Sequence, residues 1–114
     1  MTAGEDRPWG RFDVLYEESG FKVKRITVRA GQRLSLQSHR HRGEDWLVLS
    51  GIARVELDNK TLHLHPHQAV HIPPGARHRV ACRSAEDLIF VEVQQGSYLG
   101  EDDIVRYEDD YQRA

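Results

Sequence analysis

The feature that most limits what this chain can fold into is alternation. In FKVKRITV (21–28), Lys22, Lys24, Ile26 and Val28 share one side, while Val23, Arg25 and Thr27 share the other. WLVLS (46–50) is almost continuously apolar, as a buried strand would be. ARVELD (53–58) and TLHLH (61–65) alternate on either side of Asp58-Asn59-Lys60, which predicts a hairpin. AVHIP (69–73), HRVACR (78–83) and LIFVEVQ (88–94) give three more strands. Turn residues punctuate them at Gly31, Gly51, Pro66, Pro73-Pro74-Gly75 and Gly96. Short strands at regular spacing with no helical period between them predict an all-β sandwich or barrel. Only the acidic stretch 101–113 has room for a short helix. Residues 1–7 read as a flexible amino-terminal arm, and residues 8–114 as one domain.

Composition narrows the function classes. The chain has 114 residues, 16 of them basic and 18 acidic, for a formal charge of −2. Such a balance argues against nucleic acid or an anionic membrane as the main partner. No apolar run approaches the ~20 residues that span a bilayer, and MTAGEDRPWG lacks the apolar core of a signal peptide. Cys82 is the only cysteine, so no intramolecular disulfide forms. These features predict a soluble cytoplasmic protein.

The densest chemistry lies in HRHRGEDW (39–46). On an extended chain His39 and His41 point to one side, about 6.5–7 Å apart. Two imidazoles so placed converge on an ion bound at about 2.0–2.1 Å. Glu44 and Asp45 follow where the chain enters the apolar strand. Downstream, PPGARH (73–78) turns tightly and begins the next strand with His78. In a barrel, these two strands face each other across the interior. The alternative is a solvated charge run, the commoner fate of two nearby histidines.

The two segments together resemble the paired motifs of the cupin family. The first reads Gly31, His39-Arg40-His41, Glu44, then six residues to Gly51; the second reads Pro73-Pro74-Gly75-Ala76-Arg77-His78. Two spacings depart from the family pattern. Seven residues, rather than the usual five, separate Gly31 from His39, and only two separate His41 from Glu44. The six-residue step to Gly51 favours Glu44 over Asp45 as the carboxylate ligand. The likeness extends to RPWG (7–10), KVKRITVRAGQRLSLQSHRHRGEDW (22–46), IPPGARHR (72–79) and EVQQGSYLGEDDIVRYEDDY (92–111), which resemble type II mannose-6-phosphate isomerases. In that family this domain usually follows a mannose-1-phosphate guanylyltransferase domain, for which 114 residues have no room. Gln37-Ser38-His39 also resembles the Gln-x-His ligand pair of type I phosphomannose isomerases. The family usually has Ala-Glu-His-Trp at Gly43-Glu44-Asp45-Trp46, and Gly at Gln112.

The resemblance implies a cupin double-stranded β-helix holding one divalent metal ion on His39, His41, Glu44 and His78, with Gln37 as an additional ligand or outer partner. Zinc stands first, and manganese, iron, cobalt and nickel also suit such ligands. The implied reaction interconverts mannose 6-phosphate and fructose 6-phosphate through a cis-enediolate. Lys24, Arg42 and Arg106 are the candidates for polar roles in catalysis. Arg25, Arg42, Arg106 and Arg113 are candidate phosphate donors, and Trp46 a pocket edge. The small-molecule partner is then a sugar phosphate, and a homodimer is expected. A non-catalytic sugar-phosphate-binding cupin, an oxygenase and another sugar isomerase are the rival readings. His63, His65 and His67 read as an exposed stripe opposite Leu62 and Leu64. His71 is placed near the barrel mouth, and Trp9 and Cys82 read as packing groups.

Overall fold

The computed structural model describes residues 3–112. Among them are eleven strands: β1 (Ala3–Arg7), β2 (Gly10–Glu18), β3 (Phe21–Val28), β4 (Leu36–Ser38), β5 (Arg42–Ser50), β6 (Ala53–Leu57), β7 (Lys60–Leu64), β8 (Ala69–Ile72), β9 (His78–Cys82), β10 (Leu88–Gly96) and β11 (Val105–Glu108). They form two antiparallel sheets, β1-β2-β3-β10-β5-β8 and β11-β4-β9-β6-β7. Among the described residues no helix is long and apolar enough to cross a membrane.

Alternation explains what fills the space between the sheets. Phe12, Ile26, Phe90 and Val48 lie opposite one another across β2, β3, β10 and β5, forming a buried apolar row. Each such side chain contributes about 1.5–3 kcal/mol by leaving water. Two positions along, the same strands carry Val14, Lys24, Glu92 and Trp46, and the next row holds Lys22, Gln94 and Glu44. The facing sheet lines up Arg106, Gln37 and His78 across β11, β4 and β9. The interior therefore has an apolar floor and a polar end.

Two turns fix that end. Gly51 has φ 78°, and a Cβ there would stand 2.7 Å from the Asp87 carbonyl oxygen, so the β5–β6 corner admits only glycine. Gly75, with φ 82°, turns the PPG corner, and its amide donates to the His39 carbonyl at 2.8 Å. That bond ties the corner before His78 to the segment after β4.

Three expectations are corrected. Residues 3–7 are not a loose arm: β1 pairs with β2 from Ala3–Val14 to Arg7–Gly10. The 101–113 stretch holds no helix among its described residues; Val105–Glu108 instead pair with β4 as the edge strand of the second sheet. β5 begins at Arg42 rather than Trp46, so the charged RGED segment is itself a strand.

Candidate functional site

His39, Glu44 and His78 meet inside the molecule. His39 follows β4, Glu44 lies on β5 and His78 opens β9, and one donor atom from each lies within 4.8 Å of the others. The His39 Nε2 is 3.3 Å from one Glu44 oxygen, and the His78 Nε2 is 4.0 Å from the other. Donors around an ion with bonds of about 2.1 Å stand roughly 3.0–3.5 Å apart, so a small inward shift completes the set.

The outer contacts prepare both imidazoles as ligands. His39 Nδ1 lies 2.7 Å from the Asp103 carbonyl oxygen, and His78 Nδ1 lies 3.0 Å from that of Ala76. A carbonyl only accepts, so each Nδ1 carries the proton and each Nε2 presents a lone pair. Burial, reinforced by the Arg42 charge, holds the His39 pKa down at about 4, and burial lowers that of His78. Both rings are neutral at pH 7, as metal ligation requires. Glu44 is fixed from two sides: Trp46 Nε1 donates to Oε1 at 2.9 Å, and Arg42 Nε to Oε2 at 2.8 Å. A carboxylate offers about four acceptor positions, so these two bonds leave room for an ion. The donor set fits a divalent cation.

Gln37 stands opposite His78 in the β4–β9 ladder and lines the same cavity, its amide nitrogen donating to Ser35 Oγ at 3.0 Å. Lys24, Arg42, Trp46 and Arg106 line that cavity too. Arg42 Nη2 approaches His39 Nε2 at 3.2 Å, so its guanidinium sits against the ligand cluster. Trp46 packs edge-on to His78 at 5.7 Å while donating to Glu44, so it supports two members of the cluster at once.

Other expected site residues lie elsewhere. His41 is exposed and stands edge-on to Tyr98, and it is absent from the cluster. After β4 the chain turns, so His39 points inward and the residue two along does not. Arg25 is exposed on the outer face of β3, opposite in parity to Lys24. Asp45 also faces outward, accepting from Gln95 at 2.8 Å and lying 2.8 Å from His71 Nδ1. His71 is therefore outside the barrel mouth. Arg113 lies outside the described residues. His63, His65 and His67 are exposed, while Leu64 is buried, as the alternation predicts.

One residue was not foreseen. Glu92 on β10 is buried in the cavity wall, between Trp46 and Lys24 in the sheet. Burial, reinforced by Glu44, pushes its pKa up to about 8. A carboxyl so placed can hold and release a proton near neutral pH. Its signal in the sequence was an acid at an inward position of LIFVEVQ, in register with apolar Leu88 and Phe90.

Known proteins share this framework. The sequence model described as "Mannose-6-phosphate isomerase C-terminal" matches residues 3–109. The alginate biosynthesis protein AlgA of Pseudomonas aeruginosa is 51% identical over 108 residues, which cover 95% of this chain and 22% of that protein. The xanthan biosynthesis protein XanB of Xanthomonas campestris pv. campestris is 50% identical over 95% of this chain and 23% of its own length. The mannose-1-phosphate guanylyltransferase ManC of Salmonella typhimurium is 44% identical over 95% and 22%. The chain thus spans less than a quarter of these relatives. Among solved structures, a double-stranded β-helix protein from Klebsiella pneumoniae superposes with TM-score 0.74 at 26% identity, covering 85% of this chain and 83% of that one. Oxalate decarboxylase from Bacillus subtilis superposes at 0.82 with 16% identity, over 93% and 30%, a likeness of fold alone.

Proposed function

The chain belongs to the mannose-6-phosphate isomerase C-terminal family, with a cupin fold, and from that premise we propose that it interconverts mannose 6-phosphate and fructose 6-phosphate with a divalent metal ion. The observation that carries this reading is the convergence of His39, Glu44 and His78 on one point of a cavity that also presents Lys24, Arg42 and Arg106. The ion held there supplies Lewis-acid stabilisation of negative charge developing on the substrate oxygens.

The rest falls to the protein. The reaction moves one hydrogen between C1 and C2, so the sugar must be held with both carbons at the polar end of the barrel. Arg42 keeps its charge at any working pH and places it beside that cluster, where it offsets charge on the reacting oxygens. Trp46 holds Glu44 in a single orientation. Lys24 and Arg106 in the same cavity are cationic donors suited to the phosphoryl group.

A coupled assay for fructose 6-phosphate tests the reading. Activity is lost on chelation and returns with one of zinc, manganese, cobalt, nickel or ferrous iron. His78→Ala lowers kcat/KM by roughly 100-fold or more, in line with the loss of a metal-site group, whereas His63→Ala leaves it unchanged. Saturable mannose 6-phosphate binding with no turnover under any metal would replace the isomerase by a sugar-phosphate-binding protein.

A further inference from the structure

Lys24 is a cation in an unusual position. It is 3% exposed, projects from the inward face of β3 and holds its Nζ 4.1 Å above the Phe12 ring. Its ion-pair partner is Glu101 Oε1 at 2.5 Å. That carboxylate comes from the connection between β10 and β11 rather than from the barrel wall, and its side chain is 49% exposed. Lys22 Nζ lies 3.9 Å from the same oxygen, with the Leu99 carbonyl at 3.3 Å and Glu17 at 3.6 Å. Two ammonium groups thus converge on one anionic oxygen at the polar end of the cavity.

A half-exposed loop carboxylate on a buried ammonium is an exchangeable anion. Glu101 carries one negative charge. A phosphate monoester carries nearly two, on three strong acceptor oxygens, and can meet both amines at once. The loop can release Glu101 without losing its own hold, because Asp103 anchors it separately. The Asp103 carboxylate accepts from the Arg40 and His41 amides at 2.9 and 2.8 Å, and its carbonyl accepts from His39.

We propose that Lys24, assisted by Lys22, is the anchor for the phosphoryl group of the ligand, and that Glu101 is a built-in place-holder which leaves when that group arrives. This rests on the reading of the ligand as a sugar phosphate, and it names the subsite. It also gives the cavity a closed resting state, in which the buried amine is never left without a counter-charge.

Binding of inorganic phosphate to the full chain, measured by calorimetry at fixed ionic strength, tests the exchange without needing turnover. Glu101→Gln removes the competing charge, and phosphate binds about tenfold more tightly, the factor imposed by a place-holder closed nine times in ten. Lys24→Met weakens phosphate binding by at least about tenfold, the scale of a lost charge-assisted contact, and Lys24→Arg restores part of it. Glu101 is on an exposed loop, so its variant folds even where Lys24→Met does not. Unchanged or weaker phosphate binding by Glu101→Gln overturns the proposal. Isomerase turnover is assayed on the same samples. Turnover by the unmodified protein without tightening in Glu101→Gln sinks the place-holder and spares the isomerase; tightening without turnover does the reverse.

Discussion

At the scale of single residues, the site turns on which histidines face inward. The two irregular spacings in the first motif were themselves the clue. Counted from Gly31, the usual five residues lead to Gln37 rather than His39, and four residues then separate His39 from Glu44. The inward pair is thus Gln37 and His39, and His41 is displaced to the surface. Reading the visible His-x-His literally put one ligand on the wrong side of the wall. Arg25 failed for a related reason: cationic chemistry suited phosphate, but parity on β3 puts Lys24 inside. The ligand assignment has a thermal consequence. Metal at 100 times its dissociation constant stabilises the native state by about 2.7 kcal/mol. For a domain of this size that raises Tm by roughly 8–15 °C. His39→Ala should abolish the rise in scanning calorimetry, and His41→Ala should keep it. A rise lost equally in both would return His41 to the ligand set.

At the scale of elements, the strands with clean alternation were legible and those with charged or long-range pairing were not. β3 was predicted to the residue, and β6, β7, β8 and β9 to within one. β2 and β4 were not named from the sequence, and β1 and β11 escaped because nothing local distinguishes an edge strand of AGEDR or VRYE from a loop; their pairing partners decide. The start of β5 escaped because RGED reads as solvated, yet Arg42, Gly43 and Glu44 are buried: the polar groups satisfy one another. The β10–β11 connection likewise looks like an acidic run but is pinned to the segment that carries His39. Burial pushes the Asp103 carboxyl up, but the amides of Arg40 and His41 together hold it below the usual aspartate range. Asp103→Ala should cost about 1–2 kcal/mol, the worth of hydrogen bonds to a charged acceptor at a partly exposed site. Because the folded pKa is depressed, the deficit is full above pH 4 and fades as pH falls through the folded value. Hydrogen exchange should quicken at the Arg40 and His41 amides. Unchanged protection there would mean the loop is held by other contacts.

At the scale of the whole molecule, the barrel buries groups with opposed pH responses. His39 and His78 are neutral in the folded state and titrate near 6.5 when unfolded. The depressed value of His39 gives stability that is present above the unfolded value and lost as pH falls toward 4, and the lowered His78 acts in the same sense. Glu92 acts in the other sense. It faces Glu44 and Arg42 from β5 and Lys24 from β3, and burial with Glu44 outweighs the two cations, raising its pKa to about 8. Its stabilising contribution is complete below the unfolded value, near 4.5, and is lost as pH rises through 8. By about pH 7.5 the histidine contribution is nearly complete, whereas Glu92 goes on changing the balance within the cavity up to pH 8 and beyond. Metal-free protein should therefore lose stability relative to Glu92→Gln as pH rises from 6.5 to 8, the direction set by the raised carboxyl. Glu92→Gln removes the ionisable group but keeps its volume, so its urea midpoint should not fall from pH 6.5 to 8, and should drop below 6.5 with the histidines. Parallel curves for the two proteins across the alkaline window would show that Glu92 is already ionised at pH 6.5, and that the cavity holds both carboxylates charged against Lys24 and Arg42.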